Sequence, residues 1–274
     1  MGLPVIEKPA AKVPLNVAVR HDNWWVKPLL TVLGLGFFAL YATWRAFENQ
    51  FYSFPWYPPG AAGHPEAVYI SPFYSPLVPI HLEIAGWVVS PAFYILVFPL
   101  AFRMTCYYYR QAYYRSFFAD PLGCAIPERP KRYTGEQLFP LILQNLHRYA
   151  LYAALIFLVF LWYDALKALN FEGHFGVGVG SLIMLANVVL LTGYTFGCHS
   201  LRHLVGGKLD CFTCPLGGDH ANAQVKPGYK AWRIVTSFNR NHMQWAWTSL
   251  GAVILTDLYI RMVASQVIPD VRFF

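Results

Sequence analysis

The sequence predicts an all-α integral membrane protein: five transmembrane helices in a bundle, in a single domain over residues 1–274. Three observations lead there. First, the chain is 56% hydrophobic and 18% aromatic but only 13% charged, about half the charged share of a soluble domain. Second, residues 28–44, 84–102 and 175–197 contain no Asp, Glu, Lys or Arg, and a span needs roughly 17–25 mostly apolar residues. Residues 149–163 and 243–256 are shorter uncharged runs. Third, the charge is distributed unevenly. With five spans, the N-terminal segment and the connections 103–148 and 198–240 lie on one side and hold 17 of the 21 basic residues. The positive-inside rule puts that side, and the N-terminus, in the cytoplasm. Topology therefore accounts for the net charge of +7, and no nucleic-acid partner is implied.

The helices are expected at about 28–46, 83–110, 142–166, 175–205 and 236–264. Residues 1–27 lack a basic start followed at once by an apolar core, so no signal peptide is expected. The connection 51–79 is too rich in proline for a helix. It reads as an ordered outer cap with Trp and Tyr at the membrane interface. The third span begins with His147 and Arg148, and the fifth carries His242, Asp257 and Arg261. Such groups should face the bundle. His147 reads equally as a bundle histidine or a haem ligand, with Arg148 able to meet a propionate. Asp257 and Arg261, at i and i+4, are expected to form an ion pair. The basic residues of 226–240 read as a solvated loop.

The second span runs into Tyr107, Tyr108, Tyr109, Tyr113 and Tyr114, interleaved with Arg110 and Arg115. An aromatic belt with basic anchors is one reading. The other is a pocket wall whose hydroxyls bond quinone oxygens while rings pack on its face. Tyr107, Arg110, Tyr114, Trp24, Trp25 and Trp245 are the candidate quinone contacts.

All five cysteines, Cys106, Cys124, Cys198, Cys211 and Cys214, fall on the expected cytoplasmic side, where a reducing compartment favours thiols or metal ligands. The densest stretch is "GCHSLRHLVGGKLDCFTC". His199 and His203 share a helix face at i, i+4, ahead of a Gly206-Gly207 stop. Cys198 is turned about 100° from His199, so it is expected to join the same site less easily. Cys211 and Cys214 have the spacing by which a tight loop offers two thiolates to one metal. His242 lies at similar depth on the antiparallel neighbour. Five readings fit: a Cys2His2 zinc staple, a redox-active CxxC, a haem b between His147 and His242, a Rieske-type [2Fe–2S] centre, and incidental interfacial residues. Ligands built into a transmembrane helix end suit electron transfer, and imidazole ligation raises a cluster's potential.

"NWWVKPLLTVLGLG", "YISPFYSP", "CYYYRQAYYR", "QNLHRYALYAALIFLVFLWYDA", "GYTFGCHSLRHLVGGKLDCFTC" and "NRNHMQWAWTSLGAVILTDLYIR" together resemble the membrane-anchor subunit of actinobacterial-type succinate dehydrogenase, a respiratory complex II. The resemblance spans about residues 23–261. It implies a single membrane-anchor domain in the plasma (inner) membrane, docking a flavoprotein subunit and an iron–sulfur subunit on its cytoplasmic face. Electrons from succinate would reach a membrane quinone through a Rieske-type [2Fe–2S] cluster in the anchor, with haem b as the alternative cofactor. Carried onto this chain, Cys211 and Cys214 would be the thiolate ligands, and two of His199, His203 and His242 the imidazoles. Helical geometry favours His199 with His203, and Cys198 could replace a thiolate. HxxxH followed by CxxC departs from the C-x-H and C-x-x-H loops of soluble Rieske proteins. The competing class is a structural membrane protein with a zinc-stapled cytoplasmic loop.

Overall fold

The structure, a computed structural model, describes residues 22–55, 68–77, 82–84, 86–118, 139, 141–171, 173–207 and 227–273. Eight α-helices are described: α1 (Val26–Glu48), α2 (Pro91–Thr105), α3 (Tyr107–Phe117), α4 (His147–Lys167), α5 (Val179–Phe196), α6 (His199–Gly206), α7 (Pro227–Arg240) and α8 (His242–Ala264). Helix α5 lies between α4 and α8, α2 packs on α4, and α1 contacts α2, α3 and α8. Three helical stretches are long and apolar enough to cross a membrane: Val26–Glu48, Ile142–Lys167 and Val179–Phe196. They leave large apolar side chains uncovered, including Phe37, Leu40, Ile156 and Val159. Such a surface is far more apolar than water tolerates on a soluble monomer.

The helices differ from the expected boundaries in one consistent way. The helix expected over 83–110 is a hairpin, β3 (Glu83–Ile84) with β4 (Trp87–Val88), then α2, then a break at Cys106 before α3. Ser90 caps α2 by accepting from the Ala92 N–H at 3.3 Å, with Pro91 at the first helical position, where its missing N–H costs nothing. The helix expected over 175–205 is likewise divided, at Gly197-Cys198, into α5 and α6. The fifth is preceded by α7, which ends at Arg240 before α8 begins. Apolar runs show where a chain can be buried; they do not show where it bends.

One end of the bundle carries a cap. It contains β1 (Ser53–Phe54) paired with β2 (Tyr69–Ile70), and β5 (Asn170–Phe171) paired with β6 (His174–Phe175). The expectation of interfacial aromatics needs correction here. Tyr52, Tyr69, Phe73 and Tyr74 are buried, and Tyr52 stacks on Tyr74 at 4.3 Å. Their rings fill the space between the helix ends, so they are core. Burial pushes the Tyr74 phenol up to about 12, so it stays protonated and donates to the Arg45 carbonyl.

Beneath the cap lies a buried charge network. Asp257, fully buried, accepts from Arg45 Nε at 2.7 Å, from Tyr41 at 2.6 Å and from the Ser71 hydroxyl. Arg45 also pairs with Glu48. Arg261 goes to Glu48 as well, Nη2 to Oε1 at 2.5 Å. The expected Asp257–Arg261 pair is therefore replaced: α1 brings a buried cation to Asp257, while Arg261, a turn further along, meets the carboxylate at the end of α1. A buried carboxylate must be paired and hydrogen-bonded to persist, and all of its partners here are supplied by α1 and the cap.

Candidate metal centre

The opposite end of the bundle gathers cysteine and histidine. Cys106 and Cys198 occupy the same local conformation: φ −63°, ψ 129° and φ −64°, ψ 133°. Each is the single extended residue at a helix break, and each is the N-cap of the following helix. Their carbonyls accept the first helical bonds, from Arg110 N at 2.9 Å and from Arg202 N at 3.1 Å. A helix N-terminus presents free N–H groups and a positive dipole end.

Each sulfur meets an imidazole. His242 Nε2 lies 3.4 Å from Cys106 Sγ, and His147 Nε2 lies 3.2 Å from Cys198 Sγ. His147 has its tautomer fixed by an adjoining bond. The Thr105 hydroxyl donates to the Ala101 carbonyl at 2.7 Å, so its oxygen accepts from His147 Nδ1–H at 2.8 Å. That leaves the Nε2 lone pair aimed at the site, as a metal-binding histidine requires. The rings are clamped by stacking: His147 on Phe102 at 5.0 Å, and His242 on Tyr194 at 5.2 Å. Gly197 lets His242 approach, because a Cβ there would sit 2.9 Å from His242 Nδ1. Buried His242 Nδ1 and the Tyr194 hydroxyl find no hydrogen-bond partner among the described residues.

Behind these groups lies Arg103. Its guanidinium donates to Ser249 Oγ at 3.0 Å, to the Ala246 carbonyl at 3.3 Å and to the Tyr109 hydroxyl, and sits 4.6 Å from the Tyr194 ring centre. In front, a cleft of about 260 Å³ opens beside His147, lined by Gln144, Asn145, Arg148, Tyr149 and Ser200.

The sequence candidates divide three ways. His242 is at the centre of the cluster. His199 is at its exposed rim, with its ring centre 6.1 Å from that of His242 and 6.4 Å from that of Tyr107. His203 is exposed on α6. Cys211 and Cys214 lie outside the described residues. Among the quinone candidates, Arg110 sits 5.1 Å from the Tyr107 ring centre, and both Tyr107 and Trp25 are exposed. Trp24 is half-buried near the start of α1. The Tyr114 hydroxyl and Trp245 Nε1 are buried without a hydrogen-bond partner among the described residues. Trp245 packs against Gly193, where a Cβ would come within 2.6 Å of its ring.

Cys106 is the group sequence reasoning missed. It has no local ligand motif, and only the break between α2 and α3 aims it inward. Among the described residues no three His, Cys, Asp or Glu side chains converge on one point; the donors stand as two Cys–His pairs. A mononuclear zinc staple needs four donors around one ion, whereas a binuclear cluster spreads two thiolates and two imidazoles over two irons.

A family model for the actinobacterial succinate dehydrogenase subunit SdhC matches residues 26–266. A solved structure described as the Mycobacterium smegmatis Sdh1 complex in the apo form contains a chain 42% identical to this one, with 100% of both chains covered and a TM-score of 0.79. The comparison with curated proteins returned no match. An apolar helical bundle matched over almost its whole length leaves one conclusion: the chain belongs to the SdhC family of actinobacterial succinate dehydrogenase and is a membrane-anchor subunit of that oxidoreductase.

Proposed function

We propose that this subunit passes electrons from an iron–sulfur partner to a membrane quinone through a Rieske-type [2Fe–2S] cluster, and that Cys106, Cys198, His147 and His242 hold the cluster. One observation carries the reading. Two helix breaks, far apart in sequence, turn one cysteine each toward a histidine whose ring is fixed by stacking. When bound, such a cluster supplies one-electron transfer at a potential raised by its imidazole ligands.

The chain's own groups divide the remaining work. Thr105 keeps the His147 Nε2 lone pair directed inward. Phe102, Tyr194 and Tyr109 surround the donors with aromatic surface, which excludes water. Arg148, Gln144 and Ser200 line the cleft beside His147, where their polar groups can bond the carbonyl oxygens of a quinone ring. Tyr107, Arg110, Tyr114, Trp24, Trp25 and Trp245 remain candidates for holding the quinone elsewhere on this end. The thiols beside both histidines favour iron–sulfur over haem b, for which two imidazoles alone would suffice.

Five spans, α1, α2, α4, α5 and α8, carry the chain across the plasma membrane. The N-terminus and the cluster end face the cytoplasm, where the basic residues concentrate. The flavoprotein and iron–sulfur subunits then dock over α3, α6 and α7, where Tyr107 and Ile234 are uncovered.

Electron paramagnetic resonance of the dithionite-reduced complex tests the cofactor. A rhombic signal of low average g, absent when the anchor is removed, is expected. Stoichiometric zinc or haem without that signal in a metal-replete sample would refute the cluster.

A further inference from the structure

Arg103 is a partly buried cation in the last turn of an apolar helix, yet among the described residues no carboxylate pairs with it. Its partners among the described residues are all neutral: the Ser249 hydroxyl, the Ala246 carbonyl, the Tyr109 hydroxyl and two aromatic faces. The contrast with Arg45, whose charge is met by Asp257 and Glu48, is sharp. Inside a membrane an ionisable side chain is costly and marks function unless it is compensated. A guanidinium cannot shed its proton to escape, so its charge acts on whatever lies beside it. What lies beside it is the cluster of donors: Tyr194, 4.6 Å from Arg103, stacks on His242, and Arg103 precedes Cys106 by three residues.

We propose that Arg103 sets the redox potential of the centre held by Cys106, Cys198, His147 and His242. This inference rests on the function proposed above. With two thiolates and two neutral imidazoles, a [2Fe–2S] centre has no net charge when oxidised. One electron from the partner's iron–sulfur chain gives it a single negative charge, and quinone takes that electron onward. A fixed cation beside the centre favours the reduced form, because low dielectric leaves the attraction poorly screened. Arg103 is thus a positioning and tuning residue, not a ligand. Its hydrogen bonds to α8 also hold the charge still, so little reorganisation accompanies each electron.

The test is a potentiometric titration of the whole complex, followed by electron paramagnetic resonance, comparing the native protein with Arg103→Met and Arg103→Lys. Arg103→Met is expected to lower the midpoint by at least 59 mV, the one-electron equivalent of a tenfold shift. Arg103→Lys should restore most of it, and the g-values should stay unchanged in both. Should Arg103→Met fail to assemble, Ser249→Asp keeps the arginine and places a carboxylate beside it. The same fall in midpoint is expected, by neutralisation. A native signal whose midpoint is unmoved in the assembled variants overturns the role of Arg103 and leaves the cluster standing. Absence of the signal in the native complex overturns the cluster, and this inference with it.

Discussion

The two ends of the bundle handle buried polar chemistry in opposite ways. At the cap end, Arg45, Asp257, Glu48 and Arg261 satisfy one another, with Tyr41 and Ser71 completing the Asp257 shell. At the other end, among the described residues, no carboxylate pairs with Arg103, and His242 Nδ1 and the Tyr194 hydroxyl have no hydrogen-bond partner. Unsatisfied buried polar groups are uncommon in native proteins and call for a reason. A closed network argues for a structural fastening between α1, α8 and the cap. An open one, rich in soft ligands, argues for a group that completes it. Both ends hold charge inside the bundle, so charge alone does not mark the site; the absence of compensation does.

Substitutions can break that contrast or sharpen it. The largest effect is expected from His242→Ala: loss of the cluster signal from an assembled complex, with thermal stability in detergent little changed. Asp257→Ala should do the reverse. Removing one partner of a buried ion pair strands the other, at a cost of about 3–5 kcal/mol, read as a lowered unfolding midpoint while the folded fraction keeps its signal. Thr105→Val removes the group that fixes the His147 tautomer. Losses of about 10–100-fold in metal affinity are typical for such outer partners, measurable as iron retained against a chelator. His203→Ala, on an exposed residue of α6, should change neither stability nor iron content.

Much of the fold was legible in the sequence. Uncharged runs located the three long apolar helices. The cut points were not legible. Cys106 and Cys198 interrupt the expected helices without a proline at the break, and an extended φ/ψ at one residue leaves no periodic trace. On a continuous helix Cys198 points away from His199; with the break it becomes the cap of α6 and turns to His147. The ion pairing failed for a related reason. Spacing of i, i+4 finds neighbours on one helix, but Arg45 reaches Asp257 from 212 positions away. The HxxxH and CxxC motifs were visible because they are local, whereas two Cys–His pairs assembled from α2, α4, α5, α6 and α8 have no local signature. The tyrosine-rich stretch was legible only as chemistry. It turned out to contain both an exposed face, Tyr107, and a buried one, Tyr109.

The most direct test of the ligand assignment compares four alanine variants of the complex, at Cys106, Cys198, Cys211 and Cys214, by electron paramagnetic resonance and iron content after reduction. The account predicts that Cys106→Ala and Cys198→Ala each abolish the rhombic low-g signal, while Cys211→Ala and Cys214→Ala keep it. A signal that survives the first two substitutions and disappears with the last two would contradict the account and move the centre to the CxxC loop.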